Sequence, residues 1–130
     1  KVAVLCAKEK TDEKMPCTID AFKLEEMQKN GEIKGCLVGG PFALDNAVSE
    51  EAAKHKGMTH PIGGKADILL VPNIESGNIL YKSLVFFAKG ENAGLIVGAK
   101  APIVLTSRAD SDITKLNSIA LAVLAASKQN

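Results

Sequence analysis

Ala66-Asp67-Ile68-Leu69-Leu70-Val71-Pro72-Asn73-Ile74-Glu75-Ser76-Gly77-Asn78-Ile79-Leu80-Tyr81-Lys82 decides the fold class. The apolar run Ala66 to Val71 reads as a buried strand, and Pro72-Asn73 breaks it. The amphipathic segment Ile74 to Lys89 then runs to Gly90, a residue type that stops helices because it accepts a left-handed backbone at little cost. A strand feeding directly into a helix of this length is half of a βαβ unit.

The same alternation extends both ways. Apolar runs at Val2 to Ala7, Gly35 to Val38, Gly94 to Gly98 and Ile103 to Thr106 read as further strands. Thr18 to Asn30, closed by Gly31, and Leu44 to Lys56, closed by Gly57, read as helices. Asp112 to Ser127 places Ile113, Leu116, Ile119, Ala120, Val123 and Leu124 on one face, the mark of an amphipathic helix. Parallel strands need crossovers, so the expected class is α/β with a mostly parallel sheet. Ala99 to Pro102 is too short for a crossover, which leaves an antiparallel hairpin or one bent strand there and makes a mixed sheet the expectation.

At 130 residues the chain is expected to be one lobe with one core. A net charge of +1 without a basic run argues against nucleic acid. No apolar stretch reaches the roughly 20 residues of a membrane span, and Lys1-Val2-Ala3-Val4 enters strand-like sequence at once, so a soluble, cytoplasmic protein is expected. Cys6, Cys17 and Cys36 lack C-x-x-C spacing and read as buried, reduced thiols. His55 and His60, five apart across a helix-ending glycine, do not make a metal-binding pair, and no metal is expected. No Gly-x-Ser-x-Gly elbow surrounds a serine. Gly39-Gly40-Pro41 and Gly63-Gly64-Lys65 match no phosphate-cradling pattern and read as plain turns, and Lys8 to Cys17 as a mobile surface loop.

Fifteen of the 16 basic residues are lysine, leaving Arg108 as the one arginine. It lies in Thr106-Ser107-Arg108-Ala109-Asp110-Ser111-Asp112, between the last strand and the last helix, where open α/β sheets bind ligands. A guanidinium fork beside a helix N-terminus suits phosphate or carboxylate. The alternative is that Asp110 or Asp112 caps the helix while Arg108 pairs with a surface carboxylate. Asn73, Glu75, Asn78 and Lys82 form a second candidate element. Against it stand Asn73 as an N-cap, Gly77 as a packing glycine and Lys82 as a solvated side chain. Tyr81 is core or ligand-facing.

Ala66-Asp67-Ile68-Leu69-Leu70-Val71-Pro72-Asn73-Ile74-Glu75 through Lys82, with Gly98-Ala99-Lys100-Ala101-Pro102-Ile103-Val104-Leu105-Thr106-Ser107-Arg108, resembles the phosphate acetyltransferase and butyryltransferase family. Met15-Pro16-Cys17-Thr18-Ile19-Asp20-Ala21, Gly40-Pro41-Phe42-Ala43-Leu44-Asp45-Asn46-Ala47 and Ser107-Arg108-Ala109-Asp110-Ser111 are similar to the butyryltransferase branch. The resemblance implies a three-layer α/β/α lobe like that of isocitrate and isopropylmalate dehydrogenases. It would be the C-terminal part of a two-lobed enzyme, lacking its N-terminal lobe and inactive alone. It implies reversible transfer of a butyryl or branched-chain acyl group between coenzyme A and inorganic phosphate, with acyl phosphate as the other substrate, no cofactor, and a homo-oligomer.

In the family's mechanism the coenzyme A thiol is deprotonated and attacks the acyl-phosphate carbonyl while a serine and an arginine stabilise the charge; Ser107 and Arg108 match them. The aspartate proposed as base in acetyl-specific relatives falls on Thr114, so Asp110 becomes the expected base. Asn73, Glu75, Asn78, Tyr81, Lys82, Lys100, Thr106 and Ser111 are the expected substrate-binding residues. Gly39 stands where butyryl-type relatives often carry aspartate. A noncatalytic acyl-coenzyme A sensor domain is the competing expectation.

Overall fold

The structure, a computed structural model, describes residues 1–127. The chain forms two compact units, Lys1–Asn78 and Ile79–Asn130.

The first unit is an α/β fold. Its strands β1 (Val2–Leu5), β2 (Val38–Phe42) and β3 (Ile68–Leu70) make a parallel sheet in the order β2-β1-β3. In register, Val2 lies against Val38 on one side and Ile68 on the other. Between β1 and β2 the chain crosses over through α1 (Pro16–Lys29); between β2 and β3 it passes through α2 (Leu44–Val48) and α3 (Glu50–His55). Val4, Ala21 and Val38 form the centre of the core, with Val2, Leu24, Ile33, Cys6 and Cys36 packed around them.

Several boundaries differ from the sequence expectation, each for a packing reason. Strand β2 begins at Val38 and runs through Gly39-Gly40-Pro41, which is therefore ladder and not a turn. The glycines are there for closeness. A Cβ on Gly40 would stand 2.9 Å from the Val4 Cβ and 3.1 Å from the Ala21 Cβ. A Cβ on Gly39 would stand 2.4 Å from the His60 ring, so an aspartate at this position would require that ring to move. The expected helix Leu44 to Lys56 is two helices, because Ser49 is extended (φ −125°, ψ 117°) and its hydroxyl accepts the Ala52 N–H at 3.2 Å. A serine that caps restarts a helix by satisfying a free N–H. Gly63-Gly64-Lys65 does turn: Gly64 has φ +69°, and a Cβ there would lie 2.2 Å from the Glu50 nitrogen.

The loop expected to be mobile, residues 8–17, is tied down. Lys8 pairs with Asp12, and the Thr18 hydroxyl accepts the Asp12 N–H at 2.8 Å while donating to the Met15 carbonyl at 2.8 Å. Its last two residues, Pro16 and Cys17, already belong to α1, since proline suits the first helical turn. Gly31 and Gly57 take the left-handed conformation past α1 and α3, as expected.

The three cysteines are free and half-buried rather than fully buried. Burial, reinforced by the neighbouring Cys17 thiol, pushes the Cys6 thiol up to about 12 from the ordinary 9.0. A raised thiol favours the fold fully below pH 9 and withdraws that support as pH climbs toward 12. Only the thiolate reacts, so of the three cysteines Cys6 should be alkylated slowest in the native chain at pH 8. Mass-spectrometric timing of iodoacetamide labelling reads this directly; early labelling of Cys6 would contradict the burial.

The second unit continues α4 (Ile74–Phe86), which starts in the first, and adds α5 (Asp112–Ser127). Helix α4 ends three residues before the expected Lys89; there Lys89 itself is left-handed, at φ 53°, and the Gly90 N–H returns to the Leu84 carbonyl at 2.9 Å. The two expected strands Gly94 to Gly98 and Ile103 to Thr106 reduce to one antiparallel bridge between Ile96 and Ile103. It is the hairpin alternative, not a buried pair: Val97 is 83% and Leu105 71% exposed. With no third strand laddered against them among the described residues, two bonding residues do not propagate into a sheet. Helix α5 has the expected bounds, and its apolar residues Ile113, Leu116, Ile119, Val123 and Leu124 are exposed among the described residues.

Candidate functional site

The site is built around the turn that precedes α5. Ser111 is the residue that opens the helix: its Oγ accepts the Thr114 N–H at 3.2 Å. Neither aspartate caps. Asp112 pairs with Lys115 at 3.2 Å, and Asp110 reaches back, its Oδ2 accepting the Ser107 N–H at 2.7 Å. The Asp110 N–H donates in return to the Ser107 carbonyl at 3.1 Å, which closes residues 107–110 into a rigid turn. The Ser107 Oγ accepts the Ala109 N–H at 3.3 Å, leaving the hydroxyl proton for an external acceptor. Arg108, at the tip of the turn, is exposed and forms no ion pair among the described residues. A guanidinium in that state keeps its planar fork for a ligand.

Tyr81, on α4, donates its hydroxyl to Asp110 Oδ1 at 3.0 Å. Burial first, then the Asp110 carboxylate, holds the phenol above its usual range, so it stays protonated and remains a donor. The Asn92 Nδ2 donates to the same Tyr81 oxygen at 2.7 Å, and the Thr114 Oγ1 donates to Asn92 Oδ1 at 2.8 Å. These groups line a cavity of about 270 Å³, together with Ser111, Lys82 and the apolar Val85, Phe86 and Ile113. Lys82 lies 5.9 Å from the centroids of both the Tyr81 and Phe86 rings, so its ammonium is steered along the cavity wall by cation–π attraction.

The fold therefore brings together Tyr81, Lys82, Ser107, Asp110 and Ser111. Thr106 and Arg108 belong to the same segment. Lys100 is exposed at the tip of the Ile96–Ile103 hairpin and touches none of this network. Asn73, Glu75 and Asn78 fall in the first unit and are exposed there. Asn73 sits after the carboxyl end of β3 and caps α4, accepting the Ser76 N–H on its Oδ1 at 2.8 Å. Gly77 has the packing role foreseen for it, for a Cβ would meet Val71 at 3.0 Å. Asn92 carries no sequence signal as a site residue, and Thr114, which the family resemblance aligns with a base position, joins the network as a hydroxyl. Nothing local marks Asn92, whose partners lie 11 residues before it and 22 after.

Among the described residues no group of three His, Cys, Asp or Glu side chains could hold a metal ion, and no helix is long and apolar enough to cross a membrane. A second hollow of about 670 Å³ in the first unit is lined by Lys8, Lys10, Lys56, Glu9 and His60. Lys8 is engaged by Asp12, and Lys56 by Glu9 and Asp45, so it offers little concentrated charge.

The turn thus sets an exposed guanidinium and a hydroxyl proton just before α5, a donor set whose geometry suits a phosphate or carboxylate. The chain belongs to the phosphate acetyl/butaryl transferase family, whose model matches residues 1–123. It is 57% identical over 128 residues to the phosphate butyryltransferase of Clostridium beijerinckii, covering 98% of this chain and 42% of that protein. It is 60% identical over 124 residues to the phosphate acetyltransferase of Thermotoga maritima, covering 95% of this chain and 42% of that protein. Among solved structures, a branched-chain phosphotransacylase from Enterococcus faecalis V583 matches with a TM-score of 0.80 and 44% identity over 94% of this chain and 44% of that one. The chain thus spans less than half the length of the relatives it matches.

Proposed function

We propose that this chain is the C-terminal lobe of a two-lobed phosphate acyltransferase that moves a butyryl or branched-chain acyl group reversibly between coenzyme A and inorganic phosphate. The observation that carries the reading is the Ser107–Asp110 turn, held at the start of α5 in a chain matched by the family over residues 1–123.

The chemistry follows from the turn. The coenzyme A thiolate attacks the carbonyl carbon of the acyl phosphate, a C–S bond forms, the bond between that carbon and the bridging oxygen breaks, and inorganic phosphate leaves with that oxygen. Arg108 and the free Ser107 proton stabilise the charge that gathers on the carbonyl and phosphoryl oxygens, as fixed donors do without reorganising during the reaction. Asp110 takes the thiol proton on a lone pair not used by Tyr81 or Ser107; each carboxylate oxygen has two. Lys82, Lys100, Thr106, Ser111, Asn73, Glu75 and Asn78 serve the substrates, with coenzyme A, acyl phosphate and phosphate the only ligands and no cofactor. We assign the complete lobe to the three-layer isocitrate dehydrogenase-like class with a mostly parallel, mixed sheet, in a cytoplasmic homo-oligomer.

Arsenolysis of butyryl-coenzyme A and acetyl-coenzyme A, by this chain and by the complete protein that carries it, tests the reading. Activity in the complete protein alone, with butyryl preferred, is the expected result. Coenzyme A binding without turnover in either form would replace it with a sensor domain.

A further inference from the structure

Asp110 stands at the end of a series of hydrogen bonds that runs through Thr114, Asn92 and Tyr81. Ser111 Oγ already accepts the Thr114 N–H, so its own proton is available to Thr114 Oγ1, 3.1 Å away. The Thr114 Oγ1 donates to Asn92 Oδ1 at 2.8 Å, and the amide orientation follows from the other end: a carboxylate only accepts, so Tyr81 donates to Asp110 and its oxygen is left to accept the Asn92 Nδ2. The Asn92 Nδ2 then donates to the Tyr81 oxygen at 2.7 Å, and Tyr81 can only pass its proton on, to Asp110 Oδ1 at 3.0 Å. Turned the other way, the amide would present Oδ1 to Tyr81 and draw the phenolic proton away from the carboxylate. Half-buried Asn92, Tyr81 and Thr114 make this alignment count, because hydrogen bonds in series polarise one another away from water.

We propose that Asn92 and Thr114 are positioning residues for acyl transfer: they orient Tyr81, which with the Ser107 N–H fixes the Asp110 carboxylate in the Ser107-Arg108 turn. Both line the cavity beside the turn and act through Tyr81, Asn92 directly and Thr114 by way of Asn92. The inference rests on the reading of that turn as the reaction site.

The test is steady-state kinetics of the complete enzyme with butyryl-coenzyme A and phosphate, for Thr114→Val, Thr114→Ser, Asn92→Leu, Tyr81→Phe, Asp110→Asn and the double variant Tyr81→Phe/Thr114→Val. A misplaced reacting group costs roughly up to a hundredfold. Thr114→Val and Asn92→Leu should therefore lose kcat roughly ten- to a hundredfold, with KM for both substrates little changed. Thr114→Ser, which keeps the hydroxyl, should restore turnover. The double variant should be no slower than the slower single one, since both break the same series. A role in folding alone would instead lower the melting temperature and leave kcat per folded molecule intact. Full kcat in Thr114→Val and Asn92→Leu beside a crippled Asp110→Asn would overturn the positioning role and leave the site standing. Full activity in Asp110→Asn would remove Asp110 from the reaction and the positioning role with it.

Discussion

Arg108→Ala in the complete enzyme should lower kcat/KM by about a hundred- to a thousandfold, the usual cost of removing one fixed donor to a developing oxyanion. The residue stands at the tip of a turn closed by the Ser107 N–H to Asp110 contact at 2.7 Å, and it contributes nothing to that closure. Its side chain is exposed and forms no ion pair among the described residues. The substitution should therefore leave the melting temperature within about a degree or two, as surface changes away from packing do. Arg108→Lys keeps the charge but not the planar fork, and should recover only part of the loss. Wild-type turnover in Arg108→Ala would remove the Ser107–Asp110 turn from the reaction.

Phe42→Ala should cost about 3–5 kcal/mol, the typical range for emptying a buried aromatic site. Phe42 is 2% exposed at the end of β2, pairs in register with Leu5, and accepts the Cys6 N–H on its carbonyl at 2.7 Å. Its ring meets that of His60 edge-to-face at a centroid distance of 5.4 Å, so truncation also strips the packing that holds His60 over Gly39. Against a typical domain stability of about 5–15 kcal/mol, thermal unfolding of the chain followed by circular dichroism should move down by roughly 10 °C or more. Phe42→Leu, which fills most of the volume, should lose well under half as much. Equal melting of wild type and Phe42→Ala would place the ring outside the core.

The alternation of strand and helix was legible because it rests on near-neighbour rules. The apolar run expected as a buried strand over Ala66 to Val71 does form a strand, but only over Ile68–Leu70, with Ile68 and Leu70 exposed, and the period of Ile113, Leu116, Ile119 and Val123 is a property of one helix. The resemblance blocks Ala66 to Lys82 and Gly98 to Arg108 were legible for the same reason: residues contiguous in the chain carry them. Arg108 was found by scarcity and by its place between a strand and a helix. The capping of α5 was less so, since Asp110, Ser111 and Asp112 are all good caps, and only the packed turn selects Ser111.

By itself, then, the sequence determined the α/β class, the alternation of strand and helix over β1 to α4, though not the split of α2 from α3, and the bounds of α5. Tertiary structure decided what depends on distant neighbours. Gly39 and Gly40 belong to a strand through the ladder with β1 and stand as glycine because His60, Val4 and Ala21 leave no room for a Cβ, and no local rule contains those three residues. The would-be helix Leu44 to Lys56 breaks at Ser49 because the Ser49 hydroxyl satisfies the Ala52 N–H of a second helix. Asn92 enters the site only through a hydrogen-bonded series that joins residues 81, 92, 110 and 114, and the same series gives Thr114 a hydroxyl's place where relatives carry a base. Side-chain periodicity is written within one turn or one pleat, whereas which side chains meet across tens of residues is set by the packing that folding completes.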